Sequence, residues 1–81
     1  MQLKVIISYK QGICSLTSKE TGLTFEQIKY ELAYCNVSYT IGNDTIFVSR
    51  PYTYESKEEA ERVCKQIYRV ALGNFNEVSF N

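Results

Sequence analysis

A chain of 81 residues has room for one domain with a single modest core, because two packed layers are the most this length can build. The apolar fraction of 44% is too high for a disordered segment, and nine basic residues balance nine acidic ones, which disfavours nucleic acid and anionic membranes as partners. No apolar run is long enough for a secretory signal or a membrane span, so we expect one cytoplasmic domain over residues 1–81.

The N-terminal segment alternates apolar and polar residues, which predicts a strand from Leu3 to Tyr9. Ile6 adds an apolar residue to the second face and indicates a central strand. A turn at Gly12 allows Ile13 to Leu16 to form a short return strand. The residues from Thr17 to Gly22 are polar and irregular, which predicts a loop.

The first helix has clear start signals. Thr24 and Gln27 match a capping box, and Leu23 and Ile28 match a hydrophobic staple around the same cap. Asn36 is a candidate for the C-cap. The predicted inward stripe comprises Phe25, Ile28, Leu32 and Cys35.

A β-hairpin is the strongest local prediction in the middle of the chain. Val37 to Ile41 and Thr45 to Ser49 carry strand patterns, and Gly42 to Asp44 between them are residue types that tolerate left-handed turn conformations. Arg50 precedes a proline and is biased towards extended geometry. We therefore expect an extended connection from Pro51 to Tyr54.

The second helix is predicted from Ser56, which forms a capping box with Glu59, to a glycine C-cap at Gly73. Val78 and Phe80 alternate with the polar residues Glu77 and Ser79, which predicts a last short strand. The apolar stripe of this helix comprises Ala60, Val63, Cys64, Ile67, Val70 and Ala71.

Strand, helix, hairpin, helix and strand is the element order of the ferredoxin-like split βαβ sandwich. The order resembles that fold and implies an α+β class, with two helices on one face of an antiparallel sheet of four to five strands. If Ile13 to Leu16 pairs with the first strand, it competes for the edge that the last strand needs. A rearranged α+β sheet is then the better description.

Chemistry-bearing residues are few. The sequence contains no histidine, which removes imidazole-dependent catalytic triads and dyads and all histidine metal sites. Asp44, the single aspartate, falls in the predicted hairpin turn, where a turn role explains it. We therefore expect a protein that is not an enzyme, with no catalytic residue, no metal ion and no cofactor.

Three cysteines, Cys14, Cys35 and Cys64, share no CxxC spacing and are odd in number, which argues against a disulfide framework and a zinc site. Small, reduced core residues are the favoured interpretation. Cys14 is the one that lies outside a predicted buried stripe, and we expect Cys14→Ser to leave function unchanged.

Seven tyrosines, with no tryptophan, are the conspicuous feature of the composition. Tyrosine is enriched at protein interfaces because it offers a large rigid contact area at low entropy cost. Tyr9, Tyr39 and Tyr68 are expected at the margin of the core. The candidate partner-binding set comprises the residues that are hardest to place inside, together with a neighbouring arginine: Tyr30, Tyr34, Arg50, Tyr52 and Tyr54.

These features favour a small protein-binding module that acts as an inhibitor or adaptor by occupying the surface of a larger protein. In size and lack of catalytic groups it resembles phage-encoded inhibitors of host nuclease or defence systems, such as anti-CRISPR proteins. A subunit that forms a homodimer through an exposed sheet edge is a third possibility.

The alternative is a single-stranded nucleic-acid-binding domain that uses its sheet face. Residues Ile46 to Arg50 resemble the central part of the RNA recognition motif, whose sheet aromatics stack on bases. The resemblance covers Phe47 and Val48, and Arg50 stands where that motif has an aromatic residue. Tyr9 is the one aromatic on the first strand that could assist.

Overall fold

The computed structural model describes residues 1–18, 20–72 and 79–80 and shows an α+β fold with two helices and a mixed sheet. The predicted return strand is present. The predicted C-cap Gly73 and the start of the last strand at Val78 lie outside the described residues. In chain order the elements are β1 (Gln2–Tyr9), β2 (Gly12–Thr17), α1 (Phe25–Leu32), β3 (Ser38–Ile41), β4 (Thr45–Ser49), α2 (Lys57–Leu72) and β5 (Ser79–Phe80).

The strand order is β3-β4-β1-β2-β5, with β1 and β4 parallel and the other neighbours antiparallel. The predicted antiparallel sheet and the ferredoxin-like order are therefore wrong. The return strand β2 explains both errors. It reverses the chain before α1, so that β4 runs parallel to β1. It also occupies the edge of β1 and leaves β5 to pair with β2, as the alternative of a rearranged sheet anticipated.

One face of the sheet carries the core, because alternate strand residues point to the side that the helices cover. Both helices contribute to this single cluster and thus lie on the same face, as predicted. The opposite face has no helix over it among the described residues. The buried residues of the cluster are Leu3, Val5, Ile7, Cys14, Leu16, Ile28, Leu32, Ile46, Val48, Ala60, Cys64, Ile67, Tyr68 and Ala71.

Helix α1 begins with the predicted capping box: the Gln27 amide donates to the Thr24 hydroxyl, and the Thr24 amide donates to the Gln27 side chain. The helix ends at Leu32, earlier than predicted. Cys35 is buried within the turn that follows, and Asn36 has a left-handed φ of 49°. The chain can therefore leave the helix and enter β3 within a few residues.

The buried face of α2 differs in part from the predicted stripe. Tyr68 is fully buried and does not lie at the margin of the core, whereas Val63 is half-buried and Val70 is exposed. Successive helical residues turn by about 100°, which places Tyr68 beside the Cys64 and Ile67 direction and Val70 well to the other side. The core face of α2 is therefore rotated towards Tyr68 and away from Val63 and Val70.

The hairpin between β3 and β4 forms as predicted, but none of the turn residues from Gly42 to Asp44 has a left-handed φ. The Gly42 amide donates to the Thr45 carbonyl over 2.7 Å. A Cβ atom on Gly42 would lie 3.0 Å from the Phe47 ring. Close approach of an aromatic ring, more than turn conformation, therefore accounts for glycine at this position.

The connection from Pro51 to Tyr54 is held against the end of β1. The Tyr54 amide donates to the Ser8 carbonyl over 3.0 Å, and the Lys10 amide donates to the Tyr54 carbonyl over 2.8 Å. This main-chain pairing fixes the approach to α2. Neither helix in the described part of the chain has the length and apolar character needed to cross a bilayer.

Candidate partner-binding surface

Tyr30 and Tyr34 lie one turn apart on the outer side of α1 and the turn after it, with 64% and 71% of their surfaces exposed. Their ring centroids are 5.6 Å apart in an edge-to-face arrangement, and the Tyr34 hydroxyl donates to the Tyr30 hydroxyl over 3.2 Å. This hydrogen bond is the main cause that raises the pKa of Tyr34. The two rings are thus ordered without a partner.

Tyr52 is ordered by two contacts. The Asn36 side-chain amide donates to its hydroxyl over 3.1 Å, and its ring lies edge-to-face with Tyr54 at a centroid distance of 6.2 Å. Asn36 follows Tyr34 by only two residues, so their Cα atoms are at most about 7 Å apart. The α1 tyrosines and Tyr52 therefore lie on neighbouring parts of the same surface.

Arg50 is half-buried beside this surface. Arg50 follows Ser49, which pairs with Ser38 two residues after Asn36, so Arg50 lies near the turn that follows α1. Burial is the main cause that raises the pKa of the Cys35 thiol, and the positive charge of Arg50 opposes it. Its Nε atom is buried, and among the described residues it has no hydrogen-bond acceptor and no carboxylate partner. We define the tyrosine surface as Tyr30, Tyr34, Asn36, Arg50 and Tyr52.

Tyr54 has a different position from the other predicted site residues. Its ring is half-buried and packs against the core, while its main chain pairs with β1. Asn36, in contrast, was expected as a helix cap, and its hydrogen bond to Tyr52 shows a second role. No sequence signal could have revealed that bond, because the partners are 16 residues apart.

An open groove of about 480 Å³ lies between α1 and the end of α2. Tyr30 forms part of its wall, and the exposed Val70 contributes apolar surface. Because the groove adjoins the tyrosine surface, it enlarges the exposed apolar area there. Its lining comprises Leu23, Glu26, Gln27, Tyr30, Glu31, Val70 and Ala71.

The uncovered sheet face has one aromatic ring at its centre. Phe47 is 36% exposed, and its register neighbour on β1 is Lys4. A shallow cavity of about 230 Å³ lies beside Phe47 and Ile6. Tyr9 is on the helix-covered side and packs against the core. The second stacking aromatic that the RNA recognition motif would need on β1 is therefore not on this face.

Cys14 and Cys64 lie against each other in the core, with their sulfur atoms 4.0 Å apart. Cys14 is 5% exposed, so the expectation that it lies outside the buried residues is wrong: β2 turns it towards α2. Burial, followed by the neighbouring Cys14, raises the pKa of Cys64 to about 12. Because the thiolate is the reactive form, this pair does not resemble a nucleophilic site.

The raised thiol pKa predicts loss of stability in base. The folded-state pKa of Cys64 is above the ordinary thiol pKa. The contribution of the protonated thiol to the free energy of unfolding is therefore complete below the ordinary thiol pKa and is lost as the pH rises towards about 12. We expect the free energy of unfolding, measured with urea between about pH 8 and about pH 11, to fall with pH. Cys64→Ala should show a shallower fall, and an equal slope in both proteins would contradict this prediction.

No group of three histidine, cysteine, aspartate or glutamate residues that could hold a metal ion occurs in the described ranges. Comparison of the chain with protein-family models, curated proteins and solved structures found no significant match. The tyrosine surface and the uncovered sheet face are the two candidate binding surfaces.

Proposed function

We propose that this protein is a non-enzymatic binding module that occupies a surface of a larger protein through its tyrosine surface. The observation that carries the proposal is a set of exposed rings that are already ordered by contacts with one another and with Asn36. Ordering side chains on binding costs free energy, so rings that are ordered beforehand bind at a lower entropic cost.

Arg50 supports the same proposal. A half-buried guanidinium whose Nε has no acceptor among the described residues gains a charge-assisted hydrogen bond when a carboxylate is placed beside it. Tyrosine and arginine are the residue types that most often dominate binding energy at protein interfaces. The partner surface that fits is therefore apolar, with an acidic side chain opposite Arg50. The small size and few chemical groups favour an inhibitor of a nuclease or defence complex as the first class to test.

Single-stranded nucleic acid is the second candidate, because Phe47 is exposed on a sheet face without a helix. Base stacking on such a ring contributes about 1–3 kcal/mol. Lys4 is the register neighbour of Phe47, but the formal net charge of the chain is zero. The zero net charge and the presence of one exposed ring among the described residues of this face make nucleic acid the less supported candidate.

The test compares partner binding by single alanine variants. The partner is captured from a lysate of cells in which the protein occurs, purified, and titrated by calorimetry. We expect Tyr34→Ala or Tyr52→Ala to weaken binding by about tenfold or more, since truncating an interface hot spot costs about 2 kcal/mol. Tyr30→Ala is the third variant, whereas Tyr54→Ala should act through stability. Circular dichroism checks that each variant is folded.

Two further variants serve as controls for this comparison. Ile13→Ala removes an exposed apolar side chain from β2, away from the tyrosine surface, and should bind normally. Phe47→Ala tests the sheet face. If Phe47→Ala and an added oligonucleotide both abolish binding, binding falls steeply with salt and all tyrosine variants bind normally, the tyrosine proposal is wrong and the nucleic-acid candidate replaces it.

A further inference from the structure

Strand β3 (Ser38–Ile41) is an edge of the sheet, and all four of its residues are exposed. Natural edge strands are usually protected against pairing by lysine, proline, bulges or a covering segment. β3 contains no charged residue and no proline, and its pairing with β4 is continuous. Tyr39 and Ile41 leave 36% and 55% of their surfaces exposed at this edge.

The direction of the free main-chain groups follows from the hairpin. The Gly42 amide bonds to the Thr45 carbonyl, so this pair is hydrogen-bonded. Hydrogen-bonded and non-hydrogen-bonded pairs alternate in an antiparallel ladder, so Thr40 also bonds to β4. The N–H and C=O groups of Tyr39 and Ile41 therefore point away from β4, and no described residue pairs with them.

We infer that β3 pairs with β3 of a second copy of this chain to form a two-fold symmetric, antiparallel dimer. The two-fold axis passes beside Thr40, so that Thr40 faces Thr40 of the other copy. Tyr39 of each copy then faces Ile41 of the other, which places outward-pointing main-chain groups opposite one another. The inference does not rest on the proposed function, because it uses the main-chain groups of β3 and no residue of the tyrosine surface.

Side-chain chemistry favours this register. Tyr39 and Ile41 have buried partners on β4, Val48 and Ile46, and so both point to the helix-covered side. Across the pairing of the two β3 strands, Tyr39 of one copy contacts Ile41 of the other, which is an aromatic side chain against a β-branched one. The two Thr40 side chains meet on the uncovered side. Both kinds of cross-strand pair stabilise sheets. Each exposed apolar side chain of one copy is thereby covered by its counterpart.

Charge and size set the expected strength of the dimer. A strand without charges meets no like charge in its copy, and the zero net charge of the chain adds no general repulsion. Four residues bury less area than the roughly 1,000 Å² typical of stable interfaces. We therefore expect a dimer that dissociates on dilution.

Sedimentation equilibrium over a wide range of concentration tests the dimer. The wild type should pass from monomer to dimer as concentration rises, and Ile41→Lys should remain monomeric because its charge faces a desolvated edge. Ile13→Lys is the matched control, because Ile13 is 65% exposed on the internal strand β2 against 55% for Ile41, and this variant should dimerise like the wild type. A wild type that is monomeric throughout, or a dimer that survives Ile41→Lys, would overturn the inference.

Disulfide trapping tests the register and does not depend on the lysine variant. Thr40→Cys is incubated with oxidised glutathione, which accepts two electrons from the two introduced thiols, one from each copy, and leaves as two reduced glutathione molecules. We expect a covalent dimer for Thr40→Cys and none for Tyr39→Cys or the wild type, whose three described cysteines are buried. Trapping of Tyr39→Cys in place of Thr40→Cys would overturn the register.

Discussion

Replacing Ile67 by alanine is expected to lower the free energy of unfolding by about 2–5 kcal/mol. Ile67 is 1% exposed and belongs to the cluster that joins α2 to the sheet. Removing its side chain loses the transfer free energy of the deleted methyl and methylene groups and leaves a cavity that close-packed neighbours fill only in part. Urea unfolding monitored by circular dichroism measures the loss.

The matched control is Ile13→Ala, which removes the same atoms from a side chain that is 65% exposed. We expect a change below about 1 kcal/mol there, because little apolar surface returns to water. A loss below about 0.5 kcal/mol for Ile67→Ala would show that another face of α2 packs on the sheet.

Ser18→Ala is expected to lower the free energy of unfolding by about 1–3 kcal/mol, although the substitution removes only one hydroxyl group. Ser18 is 3% exposed, and its hydroxyl oxygen accepts a hydrogen bond from the Leu3 amide over 2.7 Å. The alanine variant leaves that amide buried without this acceptor. Burial raises the pKa of Tyr68, and the neighbouring Ser18 side chain opposes this shift.

Ser8→Ala serves as the control because Ser8 is exposed on the uncovered sheet face. The free energy of unfolding of Ser8→Ala should stay within about 0.5 kcal/mol of the wild-type value. Amide hydrogen exchange at Leu3 provides a second measurement, since loss of the Ser18 acceptor should accelerate exchange there. Equal stability of the two serine variants would contradict the role of Ser18.

The candidate site was accessible to sequence reasoning only in part. Tyr30 and Tyr34 lie off the apolar stripe of α1, and helical periodicity alone therefore indicated that they face outward. Tyr54 has no periodic pattern around it, and its half-buried position depends on main-chain bonds to β1. The Asn36 and Tyr52 contact likewise joins residues that are distant in the chain, which local patterns do not specify.

Local signals in the sequence determined which elements form. The capping box of Thr24 and Gln27, the alternation in β1 and the apolar stripe of α2 each stabilise one element through neighbouring residues, so they are readable without knowledge of the fold. The pairing and the direction of the strands, in contrast, were decided by the tertiary structure. Whether β2 or the last strand pairs with β1 depends on competition for a single row of main-chain hydrogen bonds. The strand that pairs with β1 sets the direction of the later strands, which is why β4 is parallel to β1.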